Sequence, residues 1–229
     1  MGKRGPKPTV KVRIKWSADF AYAIGLITTD GNLSPDGRHI NFTTKDFEQA
    51  NNFQKSLGIS YKLGRKSRGG GGPKRYYVVQ FSDRFFYKFL NSIGLYKAKS
   101  RFISKILIPK KYFFDFLRGC FDGDGTTYSY WDKRWKSSFM YYTSFTSGSK
   151  EFLLWIRRKI FKEINCKGHL SIHKKKEGKN PYYQLRYAKK ESLILLSSLY
   201  HHQSVICLSR KKLKIDKMLG IVKQTLNNN

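Results

Sequence analysis

The sequence predicts an α+β fold made of two αββαββα units related by a pseudo-twofold axis. Three observations carry that expectation. Two stretches, Ala23-Ile24-Gly25-Leu26-Ile27-Thr28-Thr29-Asp30-Gly31 and Leu117-Arg118-Gly119-Cys120-Phe121-Asp122-Gly123-Asp124-Gly125, share an apolar helical character, a Gly at the third position and a final Asp-Gly. Each is followed by the same succession of period-two and helical patterns. Further on, Tyr76-Tyr77-Val78-Val79-Gln80-Phe81 parallels Tyr182-Tyr183-Gln184-Leu185-Arg186-Tyr187, and Phe42-Thr43 parallels Phe145-Thr146. One Asp-Gly after a helix is an ordinary turn. Its duplication points to two helices that pack together and deliver two carboxylates side by side.

The elements follow in order. Ser17 is an N-cap for a helix over Ala18–Thr29. Alternation in Ile40-Asn41-Phe42-Thr43-Thr44 marks a half-buried strand. A helix over Asp46–Leu57 closes at Gly58. Strands over Tyr61–Arg68 and Tyr76–Ser82 flank a turn at Gly69–Gly72 and Pro73, and a helix over Asp83–Ile93 ends at Gly94. In the second unit Pro109 precedes a helix from about Tyr112. Strands near Thr126–Tyr130 and Ser138–Thr146, a helix over Lys150–Ile164, strands near Gly168–Lys174 and Tyr182–Ala188, and a last helix near Lys189–Tyr200 complete the repeat. Trp131-Asp132-Lys133-Arg134-Trp135-Lys136 lengthens one hairpin into a basic tip. The expected organisation is a basic N-terminal arm at 1–15, a first unit at 16–100, a linker at 101–108 and a second unit at 109–229.

The chain has 229 residues, 46 Lys plus Arg against 15 Asp plus Glu, and a net charge of +31. Basic residues run along its whole length, so a polyanion is the natural partner. Aromatic residues make up 16% of the chain and hydrophobic residues 40%, which excludes a disordered basic protein. No apolar run reaches the ~20 residues of a spanning helix, and no signal peptide is visible; a membrane partner is not expected. Cys120, Cys166 and Cys207 are too widely spaced for a zinc or disulfide framework. A reducing compartment fits this usage; together with a DNA partner it would be an intracellular one where DNA is, bacterial cytoplasm or organelle matrix. The N-terminal arm reads equally as a phosphate-contacting or minor-groove segment and as a solvated tail.

Strand alternation separates two faces. Phe42, Leu63, Tyr77, Val79 and Phe81 share the apolar parity and are expected to face the helices. The other parity holds Asn32, Ser34, Asn41, Thr43, Lys62, Lys66, Val78, Gln80 and Ser82, with Arg68 at the strand end. The second unit offers Thr126, Tyr128, Tyr142, Ser144, His169, Ser171, His173, Gln184 and Arg186. Such a face could be merely solvated. Its amide, guanidinium and phenol groups, and its scarcity of acids, favour contact with base edges, while lysines suit phosphates. The pseudo-twofold repeat suits duplex DNA. His201-His202 reads as a surface pair.

The duplicated motif, over roughly residues 17–215, resembles the LAGLIDADG homing endonuclease family, specifically its single-chain members with two motifs. The resemblance implies antiparallel saddle-shaped sheets on one face, helices on the other and the motif helices packed at the centre. It implies that Asp30 and Asp124 are catalytic carboxylates that bind Mg²⁺ or Mn²⁺, with the carbonyls of Thr29 and Gly123 as further oxygens. Asp122, where the first copy has Thr28, is expected to be structural. The family's basic residues near the site are expected at Lys99 and, within Leu208-Ser209-Arg210-Lys211, at Lys211. Its polar residue at the end of the second strand corresponds to Thr44 or Asp46. The implied activity is a monomeric, intron-encoded, metal-dependent nuclease cutting both strands of a long pseudo-palindromic DNA. Two alternatives stand beside it: a maturase that binds intron RNA, and a DNA-binding regulator that does not cut.

Overall fold

The computed structural model describes residues 10–67, 72–97, 99–135, 138–173 and 181–227, with backbone alone at 99–100 and 223–227. The first half runs α1 (Ala18–Asp30), β1 (Gly31–Leu33), β2 (His39–Thr44), α2 (Phe47–Leu57), β3 (Gly64–Lys66), β4 (Tyr76–Ser82) and α3 (Arg84–Ser92). A short α4 (Lys99–Phe102) and a 3-10 turn at Lys110–Tyr112 lead to the second half. There α5 (Phe113–Asp124), β5 (Thr126–Trp131), β6 (Phe139–Ser147), α6 (Lys150–Ile164), β7 (His169–His173), β8 (Tyr182–Tyr187) and α7 (Lys189–Leu199) repeat the order, and α8 (Ser209–Asn227) is added at the end.

Local chemistry sets these boundaries. The Phe20 amide donates to Ser17 Oγ at 3.1 Å and opens α1; the Phe86 amide donates to Asp83 Oδ1 and opens α3; Ser149 does the same for α6 through the Phe152 amide. Helices α2 and α6 both close in the left-handed region, at Gly58 (φ 65°) and Asn165 (φ 54°), the residue types that tolerate it. Each sheet has four antiparallel strands, in the orders β1-β2-β4-β3 and β5-β6-β8-β7. The α+β architecture and the repeated element order are as the sequence predicts.

Besides the short α4 and the 3-10 turn, two elements differ from expectation. The expected strand over Tyr61–Arg68 shortens to three residues, because Tyr61 turns onto the core: its amide donates to Gln54 Oε1 and its ring stacks on Phe81 at 5.7 Å. Lys62 therefore lies exposed ahead of the strand. The unexpected α8 seats Ile215, Met218 and Val222 in the core.

A single apolar cluster joins the two halves. α1 is buried on every side from Phe20 to Thr28, and α5 from Asp115 to Asp122. Helices apolar all round belong at the centre of a fold, and these two pack directly against each other.

Candidate active site and nucleic-acid interface

Glycine decides how closely α1 and α5 approach. A Cβ at Gly25 would overlap the Phe116 carbonyl and lie 2.8 Å from the Cys120 nitrogen; one at Gly119 would overlap the Tyr22 carbonyl and lie 3.0 Å from the Leu26 nitrogen. Backbone meets backbone there, so both helices end at the same place. A Cβ at Gly123 would overlap Thr29 Oγ1 and lie 2.8 Å from Asp30 Oδ2, so the Asp30 carboxylate rests against the residue before Asp124. The buried Cys120 thiol, pushed up by burial and then by the charges of Asp124 and Asp30, senses both acids. Asp30 is half-buried and Asp124 exposed.

The electrostatics follow from this meeting. Each helix C-terminus carries roughly half a negative charge from unpaired carbonyls. Two such ends and two carboxylates converge in a protein whose net charge is +31. Cations are required to offset them. One is supplied by α8: Lys211 Nζ donates to the carbonyls of Phe121 and Gly125 at 2.6 Å each and to Gly123 at 3.4 Å. Burial holds this amine down to about 8, against the upward pull of Asp122, Asp30 and Asp124.

Asp122 has the structural role expected. It is 1% exposed, and its Oδ2 accepts from the Tyr22 hydroxyl at 2.8 Å and from the Leu208 amide at 2.7 Å. Its backbone carbonyl accepts from Gln49 Nε2. Burial pushes its carboxyl upward, while the Tyr22 hydrogen bond opposes that. One turn earlier, the fully buried Arg118 pairs with Asp115 at 2.9 Å and donates to the carbonyls of Leu199 and Ile206. Tyr22→Phe is expected to cost about 1–3 kcal/mol, because it strips a donor from a buried carboxylate. A urea melt with an unchanged slope checks it.

On the open faces of the sheets the register builds polar rows. Asn32, Asn41 and Gln80 pair across three strands of the first sheet. Thr126, Ser144, Arg186 and His169 pair across all four strands of the second, with Gln184 opposite Ser171 in the next row. Tyr128 stacks on Tyr142 at 5.0 Å, and Tyr142 stacks in turn with Tyr130. Arg186 lies over the Tyr142 ring and donates to the Tyr128 hydroxyl at 3.2 Å. Thr43 bonds Asn41, and Ser171 bonds His173. Lys66 is exposed on β3. Ser34 lies just past β1, where its carbonyl accepts from Tyr87. Ser144, expected on this face, is there in register but fully buried, covered by Gln184, whose Nε2 donates to it at 3.4 Å.

Comparison with known proteins agrees with this fold. Residues 17–94 match the family model of the LAGLIDADG-like domain. The homing endonuclease I-WcaI bound to its DNA recognition sequence superposes with a TM-score of 0.59 at 16% identity, over 93% of this chain and 94% of that one. The chain has the LAGLIDADG fold. A variant of I-DmoI, in complex with its target DNA in the presence of Mn, matches at 14% identity and TM-score 0.51, over 81% of this chain and 94% of that one. The full-length DUF199/WhiA protein from Thermatoga maritima, which does not carry the endonuclease name, matches at 17% identity and TM-score 0.54, over 94% and 67%. No curated protein matches the sequence.

Within this LAGLIDADG fold the remaining expectations divide. Arg68 and the side chain of Lys99 lie outside the described residues. Thr44 is buried and bonds Gln49, while Asp46 pairs with Arg210 at 2.7 Å. His201 and His202 are both exposed, as expected, and His201 Nε2 lies 3.1 Å from the buried Asp115 carboxylate. Among the described residues no cluster of three or more His, Cys, Asp or Glu forms a metal cage. The donor set at the motif ends is two carboxylates and backbone carbonyls, all hard oxygens. That suits Mg²⁺ or Mn²⁺, which retain waters and take further oxygens from phosphate. Among the described residues no helix is long and apolar enough to cross a membrane.

Proposed function

We propose that the chain is a monomeric, divalent-metal-dependent DNA endonuclease of the intron-homing kind, cutting both strands of a long pseudo-palindromic duplex. One observation carries this reading. Two helix C-termini bearing Asp30 and Asp124 converge on one point of a strongly basic protein. Negative charge concentrated there would repel a phosphate unless a cation bridged the two. Asp30, Asp124 and the carbonyls of Thr29 and Gly123 would hold Mg²⁺ or Mn²⁺, which when bound neutralises the phosphate and acidifies a bound water. Lys211 offsets the charge of the second motif. The amide row of the first sheet, with Asn32, Asn41, Thr43 and Gln80, and the Tyr128, Tyr142, Gln184, Arg186, His169, Ser171 and His173 side chains of the second meet base edges. Lys62 and Lys66 meet phosphates. The free cysteines at 120, 166 and 207 suit a reducing compartment, and the proposed substrate places it where DNA is.

A randomised duplex library, incubated with Mg²⁺ and then with EDTA and sequenced at its cut ends, tests the reading. Discrete Mg²⁺-dependent cuts at one long motif support it. Duplex binding without cutting would favour a regulator, and tight binding to structured RNA alone would favour a maturase. Affinity for duplex is also expected to fall with salt. If about six phosphates are neutralised, log K against log[salt] has a slope near −5; a flat response in a filter-binding titration would refute the polyanion interface.

A further inference from the structure

Lys211 reaches the second motif from the first turn of α8, yet the groups that fix that turn come from the opposite half of the chain. Glu48, in α2, accepts hydrogen bonds from the Ser209 amide at 3.1 Å to each carboxylate oxygen, and from the Ser209 hydroxyl. Asp46, just ahead of α2, holds Arg210 through both Nε and Nη2. Asn52, one turn further along α2, donates to the Cys207 carbonyl at 2.8 Å. From the second half, Asp122 accepts from the Leu208 amide. Two carboxylates, one from each half, therefore cap the N-terminus of α8, where amides are unpaired and the dipole is positive. The segment 207–210 is gripped on both sides, and the next residue is Lys211.

Resting on the nuclease reading above, we infer that Glu48 and Asp46 are positioning residues: they set the Lys211 ammonium against the end of motif two from the opposite half of the molecule. Four long-range contacts, three of them from the opposite half, converge on four consecutive residues, more than is needed merely to cap a surface helix. Asp46 makes no side-chain bond to the helix it precedes and turns to Arg210 instead.

The test uses the full chain. Metal-free protein is pulsed with acetic anhydride and Lys211 acetylation is read by mass spectrometry; single-turnover cleavage of the selected duplex is measured on the same variants. Glu48→Gln is expected to raise Lys211 acetylation about fivefold while lysines of α3 and α6 keep their rates. Cleavage is expected to slow about tenfold at unchanged duplex Kd, since a small misplacement of a charged group suffices. Asp46→Arg should act likewise, and adding Arg210→Asp should restore both readouts by re-forming the pair in reverse. Unchanged Lys211 acetylation in both Glu48→Gln and Asp46→Arg would overturn the inference. If Glu48→Gln fails to fold, the Asp46 and Arg210 exchange decides, because the Arg210 side chain is 61% exposed and that of Asp46 27%, so neither charge is buried by it. A wild-type chain that cuts no duplex, yet shows the acetylation changes, would sink the nuclease reading and leave the clasp standing.

Discussion

Asp124→Asn and Asp30→Asn are each expected to lower cleavage about 10³-fold or more, since each removes a charged ligand from the divalent metal proposed to act on the reacting phosphate. Duplex binding should behave in the opposite way. Asparagine keeps the size of aspartate and deletes a negative charge from a point proposed to face phosphate, so affinity measured in EDTA should hold or rise. Binding of Mn²⁺, followed by titration calorimetry, should weaken in both variants. The two positions are not equivalent. Asp30 is half-buried and accepts from Thr29 Oγ1 at 3.4 Å, whereas Asp124 is exposed beside the carbonyls that Lys211 occupies. Cleavage that survived either substitution would remove the site from the motif ends altogether. Loss of duplex binding together with cleavage would instead indicate a disturbed helix pair.

Much of this architecture was legible because the sequence says it twice. Period-two segments such as Ile40–Thr44 and Tyr76–Phe81 became β2 and β4, and their duplicates became β6 and β8. The Asp-Gly endings located both helix C-termini. What stayed hidden depends on contacts between distant residues. In α8 the apolar positions Ile215, Met218 and Val222 have helical spacing, but they lie among lysines and find their core only in the assembled fold. Arg118 gave a signal that could have been followed: a guanidinium inside an apolar helix must find partners, and Asp115 lies three residues before it. The difference between Thr28 and Asp122 was a second such signal. Thr28 satisfies itself on the Ile24 carbonyl, whereas Asp122 needs Tyr22 and Leu208 from elsewhere in the chain. Glu48 gave none, because its partner Ser209 is set by tertiary structure alone.

Gly25→Ala should be strongly destabilising, and Gly220→Ala supplies its control. Alanine is favoured over glycine inside a helix by about 1 kcal/mol when nothing opposes it. At Gly220, on α8, a Cβ meets nothing within 4 Å, so the substitution should stabilise by that amount. At Gly25 the same methyl would overlap the Phe116 carbonyl and press on the Cys120 nitrogen and the Gly119 Cα. Those atoms belong to helix backbone and cannot rotate away as a side chain does. The helices must separate, and the cost is expected to exceed about 3 kcal/mol. Urea melts of the two variants should therefore shift in opposite directions. Separation at Gly25 also moves Asp30 away from Gly123 and Asp124, so folded Gly25→Ala should lose cleavage out of proportion to duplex binding. The sheet faces proposed to meet DNA lie on other elements and keep their rows. If Gly25→Ala stabilised the chain as Gly220→Ala does, the helices would cross more loosely than described, and the convergence of the two carboxylates would lose its structural basis.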